Sequence, residues 1–173
     1  AEHFRAFSSP NYPSLVSAGV HLKYNKSAIM GNPSGKFKVH TKLDLNVAIL
    51  KLFPGITQAF VESVLSIKNL RAVVLETFGA GNATSEEWFE KSLNKAIKKG
   101  VVILNVTQCN AGKVEQGRYQ TSSQLVRAGV IGGADLTTEA ALAKLMFLIG
   151  NESAKSKICS KLKLSLRGEL SPV

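Results

Sequence analysis

The sequence predicts an α/β fold, a three-layer sandwich in which helices cover both faces of a parallel sheet of about four strands. Short apolar runs at 47–53, 72–75 and 101–106 alternate with segments of helical periodicity. Runs of this length are typical of buried strands, and their alternation with helices is typical of βαβ units. With 45% hydrophobic and 20% charged residues, the composition excludes a disordered polyelectrolyte or a membrane bundle.

The first two helices are predicted from their start and stop signals. Pro54 and Gly55 end the first run, and Thr57 follows as a cap for a helix with an apolar stripe. Thr84 and Glu87 have the spacing of a capping box, in which hydroxyl and carboxylate satisfy free amides reciprocally. The helix after them is expected to end at Gly100.

The last part of the chain is predicted to be mostly helical. A short helix at 120–128 precedes a short strand or turn at 129–133. A largely buried helix at 137–149 and an amphipathic one at 151–166 follow. The cluster between 135 and 139 is interpreted as helix capping rather than acid–base chemistry. Its members are Asp135, Thr137, Thr138 and Glu139.

The 173 residues suit one domain, so 1–173 is predicted to be a single unit. Residues 8–46 hold three of the five prolines and are expected to form an irregular approach segment or a hairpin. The chain begins without methionine, and we expect it to be a fragment of a longer protein.

The net charge is compatible with a nucleic-acid partner, but the distribution of the charged residues argues against one. Twenty-two Lys and Arg against twelve Asp and Glu give a net charge of +10. The lysines of the last predicted helix, Lys155, Lys157, Lys161 and Lys163, flank its apolar stripe, and aromatic residues are not interleaved with basic ones. The lysines are therefore interpreted as a solvated face, with no nucleic-acid partner.

Location and metal binding are predicted from what the sequence lacks. No apolar run approaches the ~20 residues that span a bilayer, and the first residues lack the order of a secretory signal, so we expect a cytoplasmic protein with no membrane partner. Cys109 and Cys159 form no CxxC, and no histidine stands at ligand spacing. Reduced thiols and no metal site are predicted.

Two loops at strand carboxyl ends are the candidate site. Residues 78–84 and 107–114 each follow a predicted strand, where open α/β sheets bind ligands, so the two loops are expected to lie side by side. The first is not a dinucleotide fingerprint, because Thr84 holds the third glycine position. An equal alternative is that the glycines of this first loop serve only to form a tight turn. Cys109 as a nucleophile would need a base, and the histidines all lie before residue 41.

Six short segments, in order along nearly the whole chain, carry a family resemblance at consistent spacing. They are SSPNYP at 8–13, LFPG at 52–55, LETFGAGN at 75–82, TQC at 107–109, AGVIGGADLTTEAA at 128–141 and LRGELSP at 166–172. Together they resemble the C-terminal domain of the bacterial type I, cytoplasmic L-asparaginases.

The resemblance implies hydrolysis of L-asparagine to L-aspartate and ammonia, without a cofactor, by a homodimer or homotetramer. In this family the nucleophilic threonine lies in a TGGTI-like segment of an N-terminal domain, and this sequence holds no such segment. The resemblance therefore implies that this domain contains no catalytic residue, is inactive alone, and needs the missing N-terminal domain as a partner.

The same resemblance assigns supporting roles to a few residues. The loop with Gly81, Asn82 and Thr84 corresponds to one that approaches the neighbouring subunit's substrate site, although better-known relatives carry asparagine at the position of Thr84. Thr107 and Cys109 match two residues of an activating asparagine site in some type I enzymes. Glu76 stands where those enzymes have an arginine, and it would repel the asparagine carboxylate.

Two alternatives belong to other classes. A subunit of a tRNA-dependent amidotransferase shares the asparaginase-like fold and would give the net charge of +10 a partner. The other alternative is a free-standing module that binds a small ligand.

Overall fold

The computed structural model describes residues 8–31, 34–117 and 120–171. The chain forms two compact units, Ala1–Val39 and His40–Val173, and each is described by itself. One domain over 1–173 stays a prediction.

The first unit contains a small antiparallel hairpin. Strands β1 (Val16–Ala18) and β2 (Leu22–Tyr24) pair with Ser17 opposite Lys23. All six strand residues are exposed within this unit. The segment 8–46 thus contains a short hairpin with its turn at residues 19–21, while the irregular approach segment stays a prediction.

The second unit is built on a four-stranded parallel sheet. Strands β3 (Val47–Lys51), β4 (Ala72–Thr77), β5 (Val102–Thr107) and β6 (Ile131–Gly132) stand in the order β3-β4-β5-β6. Leu75 pairs with Leu50 on one side and with Asn105 on the other. The predicted α/β class, with a parallel sheet of four strands, is confirmed.

Five helices connect and follow these strands. Their bounds are α1 (Gln58–Leu65), α2 (Glu87–Lys98), α3 (Gln120–Ala128), α4 (Thr138–Asn151) and α5 (Lys155–Leu162). Thr57 caps α1 as predicted, since its hydroxyl accepts from the amide of Phe60. None of the helices in the described ranges is long and apolar enough to cross a membrane.

The helices form two separate cores, one on each face of the sheet. Val73, Leu75 and Ile103 point to the core made with α1, α2 and α3, which includes Phe89 and Leu93. Alternate residues of the same strands point to the core made with α4 and α5. These are Ala72, Val74, Val102, Leu104 and Val106. The predicted three layers are therefore present.

The predicted capping box at the start of α2 is wrong. The helix begins at Glu87, with Glu86 as its cap residue and no side-chain cap bond. The Thr84 hydroxyl instead accepts from the amide of Glu86, at 3.4 Å. The helix therefore begins two residues later than the capping-box spacing requires.

The last helix is shorter than predicted. In addition, two of its lysines, predicted to lie on a solvated face, form specific contacts within the protein. Residues 152–154 interrupt the helical run, so α5 covers only Lys155–Leu162. The Lys155 ammonium donates to the carbonyl of Ile97 at 2.8 Å, at the carboxyl end of α2, where a cation is favourable. Lys161 forms an ion pair with Glu152.

The turn after α5 is organised around the carboxylate of Glu169. Glu169 Oε1 lies 2.8 Å from the Nζ of Lys144, a lysine on α4 whose side chain is 3% exposed. Glu169 also accepts from the amides of Leu166 and Arg167. Burial raises the pKa of the Glu169 carboxyl, but these donated hydrogen bonds outweigh it and lower the pKa to about 2.

This carboxylate makes a definite contribution to acid stability. The folded pKa of about 2 is below the ordinary value of 4.5, so the unfolded chain takes up the proton first. The stabilisation is complete above the ordinary pKa and is lost as the pH falls from there towards 2. We expect Glu169→Gln to flatten the decline of the unfolding free energy in that window, measured by urea denaturation at several pH values.

The matched control is Glu139→Gln, which changes an exposed carboxylate on the first turn of α4. It should leave the slope close to that of the unmodified chain. Equal slopes for Glu169→Gln and the unmodified chain would contradict the assigned role.

Candidate functional site

The carboxyl ends of β4 and β5 lie level, because Thr77 pairs with Thr107 in the parallel register. The loops that follow these strands therefore start side by side. The Thr107 hydroxyl donates to the carbonyl of Gly79 at 2.5 Å, and the amide of Glu115 donates to the carbonyl of Ala80 at 3.0 Å. The two loops expected to be adjacent are thus joined by hydrogen bonds.

Gly81 has a structural reason to be glycine. Its φ is +106°, in the region that favours glycine, and a Cβ there would lie 2.8 Å from the Cγ1 of Val114. The turn is closed by two hydrogen bonds between the backbones of Phe78 and Asn82. Gly81 is buried, Asn82 and Thr84 are half-buried, and Phe78 and Gly79 are the exposed residues of this loop.

Asn105 lies beneath this loop and was not singled out from the sequence. It is fully buried on β5, and its Oδ1 accepts from the Thr77 hydroxyl at 2.6 Å. Its Nδ2 has no hydrogen-bond partner within the described residues and lies 3.4 Å from where a Cβ of Gly81 would be. The signal for this residue is an amide side chain inside an otherwise apolar run, at 101–106.

Glu76 is a buried carboxylate at the same edge, 8% exposed. Its Oε1 accepts from the Thr138 hydroxyl at 2.5 Å, and its Oε2 lies 3.3 Å from the Nζ of Lys51. The lysine side chain is 62% exposed, so the carboxylate is buried while its cation faces solvent. These three residues join β3, β4 and the start of α4.

The predicted capping cluster before α4 is only partly correct. Thr137 is the cap, and its hydroxyl accepts from the amide of Ala140 at 3.2 Å. Thr138 is already the first helical residue, so its hydroxyl reaches across to Glu76 instead of capping. Asp135 accepts from the amide of Ser171 and ties the end of the described chain to the start of this helix.

Thr107 and Cys109 belong to the second loop. The buried Thr107 hydroxyl accepts from the amide of Cys109 at 3.0 Å in addition to donating to Gly79. Both cysteines are free, and Cys109 is exposed. Within the second unit, His40 contacts Phe147 and Asn151 near the carboxyl end of α4, so its ring is not placed to act as a base on Cys109.

The parallel sheet with its helices on both faces and its polar carboxyl edge defines a three-layer α/β domain with a candidate ligand site at that edge. Residues 46–161 match the Glutaminase/Asparaginase C-terminal domain family. The chain belongs to this family, and the resemblance to the C-terminal domain of type I L-asparaginases is confirmed.

Individual relatives agree with that assignment. The chain is 38% identical over 172 residues to L-asparaginase 1 of Escherichia coli K12, covering 99% of this chain and 51% of the relative. The crystal structure of L-asparaginase I from Vibrio cholerae has a TM-score of 0.91 and 38% identity, covering 99% of this chain and 52% of that one. The chain therefore spans about half the length of these relatives.

A relative of another class is also similar. It is one of the subunits of the glutamyl-tRNA(Gln) amidotransferase of Saccharolobus islandicus, and it is 33% identical over 138 residues. The match covers 80% of this chain and 31% of the relative. The family fold is thus shared by proteins whose names indicate different reactions.

The Thr138 hydroxyl is expected to stabilise the fold through its hydrogen bond to the Glu76 carboxylate. We expect Thr138→Val to lower the free energy of unfolding by about 1–3 kcal/mol, because it removes a donor from a largely buried carboxylate. Urea denaturation measures the loss. In the double variant with Glu76→Gln the effect of Thr138→Val should shrink, since the charged acceptor is gone.

Thr41→Val provides the matched control, because Thr41 is exposed. Its effect should stay within about 0.5 kcal/mol. An equally small effect of Thr138→Val would show that the hydroxyl does not stabilise Glu76.

Proposed function

We propose that this chain is the C-terminal domain of a cytoplasmic L-asparaginase, which hydrolyses L-asparagine to L-aspartate and ammonia without a cofactor. The observation that carries the proposal is similarity to L-asparaginases over 99% of the chain, in sequence and in shape. In this proposal the domain supports the catalytic site and does not contain it.

The hydrogen bonding of the hydroxyls at the carboxyl edge supports that division of labour. Amide hydrolysis by a hydroxyl needs a free nucleophile, a base for its proton and donors for the oxyanion. The Thr77 hydroxyl is bonded to Asn105, and the Thr107 hydroxyl to Gly79 and Cys109. The Thr138 hydroxyl has a carboxylate beside it, yet that carboxylate also pairs with Lys51 and anchors a helix.

The loop that carries Gly81, Asn82 and Thr84 is the part we assign to a neighbouring subunit's substrate site. Gly81 fixes the turn, and the half-buried Asn82 and Thr84 offer an amide and a hydroxyl beside it. Such groups orient a polar substrate by hydrogen bonds without attacking it.

We assign no activating asparagine to the surroundings of Glu76, Thr107 and Cys109. Binding a free amino acid's carboxylate calls for a cation such as a guanidinium. Here the position holds a carboxylate that is already bonded to Thr138 and Lys51. A second carboxylate placed beside it would be repelled.

Exposed apolar side chains support a larger assembly. At the edge of the sheet, Ile49 of β3 is 46% exposed, and the neighbouring rings of Phe53 and Phe60 are 45% and 47% exposed. Apolar surface of this kind is typical of interaction sites. The proposed partners are a second copy of the chain and the N-terminal domain that the family requires.

The proposal is tested by ammonia release from L-asparagine. We expect no turnover from the purified chain alone, and turnover when the N-terminal asparaginase domain is added. Turnover by the chain alone that is abolished by Thr107→Ala or Thr138→Ala would overturn the proposal, because it would locate a complete site within this domain.

The amidotransferase alternative is favoured by the similarity to the Saccharolobus islandicus protein and by the net charge of +10. Filter binding of tRNA over a salt series separates the two functions. Asparaginase function predicts no specific binding, whereas an affinity that falls steeply with salt would favour the alternative, because phosphate contacts release counterions.

Self-association is expected at high micromolar concentration. Light scattering should give at least a dimer, and Thr84→Arg should shift it towards monomer by placing a bulky cation in the loop that faces a neighbour. Ser156→Arg, at an exposed position on α5, adds the same charge as a control and should leave the mass unchanged. A strict monomer, or equal masses for both variants, would contradict the assignment of this loop.

A further inference from the structure

A second candidate site uses none of the residues that form the polar carboxyl edge of the sheet. It is a cavity of about 270 Å³ between α4 and the segment after α5. Its apolar wall consists of Ala140, Ala143, Phe147 and Leu166. Drug-sized ligands occupy pockets of roughly 300–1,000 Å³, so this cavity suits a molecule at or below the lower end of that range.

Two of the three charged residues at this cavity neutralise each other. Lys144 and Glu169 form the buried ion pair that anchors the segment after α5. The lysine also donates to the carbonyl of Leu164 at 2.6 Å, and the carboxylate also accepts backbone amides. With both groups committed to each other and to the backbone, the pair attracts neither anions nor cations strongly.

The third charged residue, Arg167, gives the cavity its net charge. It is exposed, and its Nη1 donates to the carbonyl of Leu166 at 2.7 Å. No carboxylate pairs with this guanidinium in the ranges 8–31, 34–117 and 120–171. Arg167 lines the cavity, and a guanidinium fork binds a carboxylate through two parallel hydrogen bonds.

The apolar wall is already fixed in place. The Phe147 ring is packed edge to face with the His40 ring, with centroids 5.6 Å apart. The imidazole in turn contacts Asn151, whose side chain donates to the carbonyl of Lys42. A ligand body placed against Phe147 therefore meets a pre-organised surface, which lowers the entropic cost of binding.

We propose that this cavity binds a small monocarboxylate with an apolar body, of the aryl or branched aliphatic kind. The carboxylate pairs with Arg167 at the mouth, and the body covers Phe147 and the two alanines. Charge complementarity selects the anion, because the site carries one uncompensated positive charge. This site is independent of asparagine hydrolysis.

The test is a titration of the 173-residue chain with benzoate, followed by calorimetry or by amide chemical shifts. We expect a Kd of about 1 mM, as for a small ligand held by one ion pair and one apolar contact. Benzyl alcohol has a similar body without the charge, and benzylamine reverses the charge. Both should bind at least tenfold more weakly than benzoate.

Two variants test the residues. Arg167→Gln should weaken benzoate binding about tenfold, while Lys163→Gln, which removes an exposed charge at the end of α5, should change it less than twofold. Ala143→Leu fills the cavity from an exposed helix position and should abolish binding without preventing folding, which circular dichroism checks.

Three results would overturn the proposal. These are no saturable benzoate binding up to about 20-fold above the expected Kd, equal binding of benzoate and benzyl alcohol, or unchanged binding in Arg167→Gln.

Discussion

Burial of β4 and β5 on both faces is the constraint on which the second unit depends. Every residue of these two strands is buried, and alternate side chains enter different cores. Each backbone edge is paired, β4 with β3 and β5, and β5 with β4 and β6. A polar residue in such a strand must therefore find its partner inside the protein, since water is excluded from both faces.

The polar residues near the carboxyl ends show how this requirement shapes the candidate site. Thr77, Asn105 and Thr107 are bonded to one another or to the first loop, and Glu76 is bonded to Thr138 and Lys51. These bonds fix the loop between β4 and α2 in place. The same network occupies the hydroxyls of Thr77, Thr107 and Thr138.

The segment after α5 is organised by charge. Lys144 is almost fully buried on α4 and forms an ion pair with Glu169. The Glu169 carboxylate also accepts hydrogen bonds from the amides of Leu166 and Arg167. The same segment is also held by Leu170, which is buried in the core with α4 and α5, by Leu166 packed against that core, and by the bond from the Ser171 amide to Asp135. The cavity beside Arg167 lies between this segment and the α4 face that carries the small side chains Ala140 and Ala143.

The sequence by itself determined the fold class, the four parallel strands and the Thr57 and Thr137 caps, because these depend on local periodicity and on neighbouring residues. The sequence also determined the family, because the six motifs occur in order and at consistent spacing along the chain. The tertiary structure decided where Thr138 bonds, where α5 begins, and which partners Glu76, Asn105 and Lys144 take. Those partners lie 20 to 62 residues apart in sequence, so only packing across the sheet and around α4 brings them together.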